Sequence, residues 1–279
     1  MTVLHRPAPP SYRGRTPSRP GSGTAQVQSL TRGLSILECL ARSEGGLTLT
    51  DIAHRVELPA STTHRLLGTL EKTGFVYQMG DLGRWYVGLS AFTVGSSFLA
   101  NRDFATHSHA YMRRLMEQCG ETATLAIRDG TEAVFIDQVQ CRETMRTIVK
   151  LGSRVPLHAS GVGKAIFASL PDDQSDALIK VKGLPRITEN TITSPETMWA
   201  SIRVIRQRGF SFDDEEHLPG TRCVAAPIYE EHAEPLGAIS LAGPSSRLPD
   251  PRIKQLGPLV SRIAEEITGR LGGRWPHPR

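Results

Sequence analysis

The chain has 279 residues, is 39% hydrophobic and 22% charged, and carries a formal net charge of +5; that length predicts two domains, and no run is apolar enough to predict a membrane-spanning helix. Four of the positive charges, Arg6, Arg13, Arg15 and Arg19, fall in residues 1–26, which contain no acidic residue, so the basic character belongs to the N-terminal tail. The start MTVLHRPAPP lacks the apolar core of a secretory signal, and the four cysteines (Cys39, Cys119, Cys141, Cys223) form no CxxC pair, which argues against a disulfide framework or zinc site and predicts a cytoplasmic location.

Residues 1–26 also hold Pro7, Pro9, Pro10, Pro17, Pro20 and the run Gly21-Ser22-Gly23, a composition that cannot bury a core and predicts disorder in isolation. Such a segment is either a solubilising leader or a basic arm that settles on phosphates. Leu30, Leu34, Leu37 and Leu40 then predict a helix with one apolar stripe. In residues 47–76, Thr48 with Asp51 reads as an N-cap ahead of Ile52, Ala53 and Val56, and Leu58-Pro59 breaks and restarts the chain. After Pro59, Thr63, Leu66, Leu67 and Leu70 form a buried stripe, leaving Ser61, Thr62, His64, Arg65 and Thr69 facing out. Short donors near a helix start and a single arginine suit a recognition helix in a major groove, with Arg65 forking onto a guanine edge and Ser61 and Thr62 near phosphates. Alone, this is equally an amphipathic hairpin with a solvated face. The flanks favour DNA: Phe75 to Tyr77 and Trp85 to Val87 read as two strands joined through Gly80-Asp81 and Gly83, a wing that carries Arg84. A winged helix-turn-helix is therefore expected over residues 27–88. Six Lys/Arg balance six Asp/Glu in residues 27–92, so one copy should bind weakly and affinity should come from several copies on a repeated operator in double-stranded DNA.

Residues 89–103 predict a linker helix whose apolar edge, Leu89, Phe92 and Leu99, seeks a partner such as the same helix of a second subunit. Residues 104–271 change to an α+β pattern, followed by a C-terminal tail at 272–279. A helix is expected over 104–119, a hairpin around Asp129-Gly130, a strand near 145–150, and helices from Gly161, over 172–180, over 195–208 and over 252–270. Further strands are expected at 210–213, 223–229 and 236–242, giving antiparallel strands with helices on their faces.

VQSLTRGLSILECLA, the helix-turn-helix, RVPLHASGVGKAIFASLP, TITSPETM, IRQRGFSFDDEEHLPGTRCVAAPIY and AISLAGPSSRL together resemble the IclR family of bacterial transcriptional regulators, in order and over nearly everything after the tail. The resemblance implies an N-terminal winged helix, a linker helix and a C-terminal GAF-like effector-binding domain, assembled as a homodimer or a dimer of dimers, with no catalytic residues and no cofactor. FIDQVQC followed by MR, SRVPLHASGVGKA and GPSSRL are most similar to the allantoin and glyoxylate-utilisation regulators, whose effector is glyoxylate. On that pattern the effector pocket is formed by Ser160, Gly161, Val162 and Gly163, by Asp213, by Cys223 and by the strand from Ser240 to Ala242. A Gly-rich loop opening a helix offers N–H groups and a positive dipole end to a carboxylate, and Asp213 would hold the hydroxyls of the hydrated aldehyde. Ala242 departs from members with serine there, which leaves another small organic acid, such as pyruvate or an aromatic acid, as the alternative effector.

Other chemistries fit these residues less well. In Gly161-Val162-Gly163-Lys164 no Ser or Thr follows the lysine, and His158 stands where a phosphate loop needs its first glycine. Asp213-Asp214-Glu215-Glu216-His217 reads as a solvated charge run and not a metal site, since consecutive side chains diverge. Cys223 among alanines and valine would ordinarily be a small core residue. His158 and Ser160 lack the Gly-x-Ser-x-Gly setting of a hydrolase. An oxoacid enzyme fused to a DNA-binding module is the remaining second class.

Overall fold

The computed structural model describes residues 27–43, 45–80, 83–100 and 103–276, which divide into two compact units at residues 101 and 102. The basic tail, the Asp81 position of the wing turn and residues 277–279 lie outside the described residues.

In the first unit, α1 (Gln28–Ala41), α2 (Leu49–Arg55) and α3 (Ala60–Lys72) precede β1 (Val76–Met79), β2 (Arg84–Val87) and α4 (Leu89–Ala100). Thr48 caps α2 as a capping box: its hydroxyl accepts from the Asp51 N–H at 3.2 Å, while the Asp51 carboxylate accepts from the Thr48 N–H at 3.3 Å. Between α2 and α3 the chain turns through Glu57 at φ 53°, a left-handed conformation that a residue with a Cβ adopts at some cost. The core holds Ile36, Leu40, Leu47, Ile52, Leu67, Val76 and Trp85. β1 and β2 pair antiparallel, and Leu47 bridges to Trp85, so the wing is stitched back to the residues before α2. The leucine stripe expected on α1 is corrected here: Gly33, Ile36 and Leu40 face the core, whereas Leu30 and Leu34 are exposed. The Leu30/34/37 spacing and the Gly33/36/40 spacing are both helical, and packing against the neighbouring helices selects the second.

In the second unit, α5 (Asp103–Cys119), β3 (Thr122–Asp129), β4 (Glu132–Val139), β5 (Arg154–Pro156), α6 (Gly161–Ser169) and α7 (Asp172–Lys182) are followed by α8 (Pro195–Arg208), β6 (Ser211–Asp214), β7 (Thr221–Tyr229), β8 (Pro235–Pro244) and α9 (Asp250–Arg270). The six strands form one antiparallel sheet in the order β5-β4-β3-β8-β7-β6. β3 and β4 turn through Gly130 at φ 63°, as the Asp-Gly signal predicts. α8 starts at Ser194, whose hydroxyl accepts from the Thr197 N–H, has Pro195 at its first position and stops at Gly209 in the left-handed region.

Alternation along the central strands separates two cores. Ala123, Leu125, Ile127, Val224, Ala226, Ile228, Ile239 and Leu241 pack with α5 and α9 through Met112, Leu115, Val260, Ile263 and Ile267. The opposite face, Ala126, Ala225 and Ala238, packs under α6 and α8 through Val162, Ile166, Met198 and Ile202. Small residues on this second face let α6 lie close to the sheet.

The strand expected near 145–150 is absent; residues 146–150 form no regular element. The Gln138 side chain takes the place of a neighbouring strand, donating to the Val149 carbonyl at 2.8 Å and accepting from the Val149 N–H at 3.2 Å. The short β5 pairs with β4 instead.

Candidate functional site

On α3, Thr63 and Leu67 are buried, Leu66 and Leu70 half-buried, and Ser61, His64, Arg65 and Thr69 exposed, with Thr62 half-buried. The outward face is thus the polar one that the helical spacing predicts. The Thr69 hydroxyl donates to the Arg65 carbonyl at 3.0 Å, so only its lone pairs remain for an external donor. Arg84 is half-buried and one N–H of its guanidinium donates to the Gly46 carbonyl at 3.0 Å, pinning the wing to the loop before α2. Tyr86 braces the same loop through the Gly45 carbonyl and stacks on Tyr77 with ring centroids 5.4 Å apart.

The second unit gathers buried polar side chains beneath the start of α6, the candidate recess for a ligand. Asp213, Cys223, Ala242 and Thr122 are successive cross-strand partners on β6, β7, β8 and β3, so their side chains share one face. The next row on that face is Ser211, Ala225, Ser240 and Thr124, with the Ser240 and Thr124 hydroxyls 2.7 Å apart. The start of α6 covers both rows. A Cβ on Gly161 would stand 2.5 Å from the Cys223 sulfur, and one on Gly163 would meet the Leu157 Cα and Pro156 carbonyl at 2.6 Å, so each glycine is demanded by close approach. Ser160 caps α6, donating to the Pro156 carbonyl at 2.9 Å and accepting from the Gly163 N–H at 3.1 Å. The Gly163 N–H is thus taken by Ser160 and the Val162 N–H by the Cys223 sulfur, so what α6 presents here is chiefly the positive end of its dipole. Ser211 locks this start in place by donating to the Gly161 carbonyl at 2.6 Å.

The run 213–217 is not the solvated loop expected of it. Asp213 and Glu216 are 6% and 5% exposed. Asp214 instead turns to Arg222 at 2.7 Å, and the Glu215 carboxylate accepts from the Gly220 N–H at 2.6 Å. Two residues that sequence reasoning left out of the recess belong to its wall: Lys164, 3% exposed, donates from Nζ to the Phe212 carbonyl and to the Glu216 carboxylate. The Glu216 N–H in turn donates to the Asp213 carboxylate at 2.8 Å. Lysine in the second turn of a helix reads locally as solvated, and its partner lies fifty-two residues along the chain. No local periodicity signals that pairing.

Burial holds the Asp213 carboxyl up to about 7 against the opposing pull of Lys164 and of the Glu216 N–H, and pushes the Cys223 thiol up to about 12, with Asp213 adding to the rise. Burial also lowers His158, whose ring meets the Pro185 carbonyl at 3.0 Å, and His217. Because the folded-state value of Asp213 exceeds its ordinary one, the folded protein holds the proton more tightly than the unfolded chain between pH 4 and 7. Stability contributed by the protonated carboxyl is therefore lost as pH rises through that window, on the order of 4 kcal/mol at most. Asp213→Asn should remove this loss: thermal melts at pH 5 and pH 8 should differ less for the variant than for the wild type, and equal differences would contradict the buried-acid reading.

Among the described residues, the group of His, Cys, Asp or Glu side chains close enough to share a cation is Glu230, Glu231 and His232, at a largely exposed turn remote from this recess in sequence; it does not include Asp213 or Glu216. No helix among the described residues is long and apolar enough to cross a membrane.

Two family models match the chain: the IclR helix-turn-helix domain over residues 29–80 and the bacterial transcriptional regulator IclR C-terminal domain over residues 96–269. The acetate operon repressor of Salmonella typhimurium is 48% identical over 267 residues, covering 95% of this chain and 97% of that protein. The HTH-type transcriptional repressor AllR of Klebsiella pneumoniae is 42% identical over 260 residues, covering 93% and 96%. The crystal structure of Thermotoga maritima IclR superposes with a TM-score of 0.74 at 28% identity, covering 88% of this chain and 99% of that one.

Proposed function

Since the chain belongs to the IclR family of bacterial transcriptional regulators, we propose that it is a DNA-binding repressor whose hold on its operator is set by a small organic acid, glyoxylate or a related 2-oxoacid, bound in the recess under α6. The observation that carries this reading is the convergence of the α6 N-terminus, Asp213, Cys223 and Ser240 on one small polar face. A ligand of very few atoms suits it, because at Gly161 there is no room even for a Cβ beside Cys223, and its carboxylate is matched by the helix dipole. Repression is favoured by the names of the relatives, an acetate operon repressor and an AllR repressor. The targets would then be genes of glyoxylate, glycolate or ureide metabolism. The protein would act in the cytoplasm as a homodimer or dimer of dimers: Val27 just before α1, Leu30 and Leu34 on it, and Leu89, Phe92, Val94 and Phe98 on α4 are all exposed apolar side chains of the kind a second copy would cover.

The reading is tested by fluorescence anisotropy of the full chain on DNA from its own upstream region, with and without millimolar glyoxylate. Specific binding that glyoxylate alters, with the ligand recovered unchanged, is expected; turnover of the ligand would favour an enzyme, and a response to an aromatic acid alone would replace the effector class. For the DNA face, Arg65→Ala should cost about 1–3 kcal/mol on the cognate site and blur its sequence preference. An equal loss on random DNA would restrict Arg65 to phosphate contact. Deleting residues 1–22 should flatten the salt dependence by up to roughly 0.9 log unit for each lost phosphate contact if the tail arginines reach the backbone; an unchanged slope returns the tail to a leader.

A further inference from the structure

The inner wall of the recess holds one buried cation and two buried carboxylates. Lys164 reaches the wall from α6, Asp213 from β6 and Glu216 from the turn after it. The Lys164 ammonium is engaged by the Phe212 carbonyl and one oxygen of Glu216. The other Glu216 oxygen is buried and has no hydrogen-bond partner among the described residues, which marks the wall as poor in donors. The remaining ionisable groups around Asp213 add no second cation. His158, in the segment before α6, and His217, beside Glu216, are both lowered by burial. Cys223 on β7 contributes a thiol, and β8 and β3 present Ser240, Ala242, Thr122 and Thr124, none of which carries charge.

We propose that Asp213, positioned by the Lys164–Glu216 pair, is the proton-bearing residue of the effector site, so that a carboxylate ligand enters the recess together with one proton. This rests on the reading above that the recess takes a small organic acid. Lys164 balances Glu216; an ionised Asp213 beside an incoming carboxylate would leave two buried anions facing one helix terminus, whose dipole is worth about half a charge. Protonating Asp213 removes that repulsion and turns one of its oxygens into a donor for the ligand. The Glu216 N–H fixes Oδ1 at 2.8 Å, and the His217 N–H also meets this carboxyl. The free site already holds its proton at pH 6 and must take it from solvent above about 7, so affinity falls as pH rises.

Calorimetry of the full chain with glyoxylate, in buffers of different ionisation enthalpy, tests this. Expected is uptake of close to one proton per ligand at pH 8 and close to none at pH 5.5, with a dissociation constant about tenfold weaker at pH 8 than at pH 6. Asp213→Asn should still bind glyoxylate, with a flat pH profile and no proton uptake. Lys164→Arg should keep the wild-type profile, whereas Lys164→Gln should move its midpoint to higher pH, a change that a purely structural lysine would not produce. Should Lys164→Gln fail to fold, the Asp213→Asn profile decides alone. Binding by the wild type with no proton uptake and a flat profile overturns this inference and leaves the effector reading intact, as does an Asp213→Asn variant that keeps the wild-type slope. A folded chain that binds no glyoxylate at any pH overturns the effector reading and this inference with it.

Discussion

Lys164→Met should destabilise the second unit by about 3–5 kcal/mol, because removing one member of a buried ion pair strands the other. Lys164 and Glu216 are 3% and 5% exposed, and the lysine also ties the Phe212 carbonyl of β6 to α6. Stranded charge, and not lost packing, should dominate the cost, since methionine keeps most of the side-chain volume. Denaturant unfolding of the wild type, Lys164→Met, Glu216→Leu and the double variant separates these contributions. The double variant should recover a large part of the loss, as replacing a whole buried pair by apolar groups is often nearly neutral. A loss under about 1 kcal/mol for Lys164→Met would mean that water reaches the pair and that it behaves like a surface contact.

Asp213→Ala should abolish most effector binding while leaving the sheet folded. The side chain is 6% exposed, sits on the same face as Cys223, and accepts the Glu216 N–H. Its loss leaves a ligand hydroxyl or carboxyl oxygen unmet in a closed site, about 1–3 kcal/mol, and also frees the turn that carries Glu216. Circular dichroism should show retained structure, and operator binding by the variant should persist at glyoxylate concentrations that act on the wild type. An unchanged dissociation constant for glyoxylate would exclude Asp213 from the site. Ala242→Ser is the complementary change: it adds a hydroxyl beside Cys223 in the same row and should leave binding equal or tighter.

The polar face of α3 was legible except at Thr62, which is half-buried, because burial of Thr63 and Leu67 repeats at the helical period, and the Thr48–Asp51 capping box is a local interaction. α8 was legible to its ends for the same reason: Ser194, Pro195 and Gly209 are start and stop signals carried by the chain itself. The small-residue face of β7 and β8 and the glycines of α6 were visible as composition, and the family resemblance placed them in one site.

What only the tertiary structure decided involves choices between patterns of equal local merit, or partners far apart in sequence. On α1 the leucine spacing and the Gly33/Ile36/Leu40 spacing are both helical, and packing on Leu47, Ile52 and Leu67 selected the latter. Apolar alternation near 145–150 looked like a strand, but the Gln138 amide satisfies the backbone there, which no periodicity can foretell. The bond from Arg84 to the Gly46 carbonyl, thirty-eight residues away in sequence, likewise has no local signal. In the run 213–217, strand alternation on β6 turns Asp213 inward and Asp214 to Arg222, and Glu215 at φ 59° ends the strand so that Glu216 turns inward again. A carboxylate tolerates that burial only where a distant cation or N–H meets it, and Lys164, contributed by α6, is that cation; secondary structure follows from local propensity, whereas the charge state of a site follows from which far-separated groups the fold brings within a few ångströms of one another.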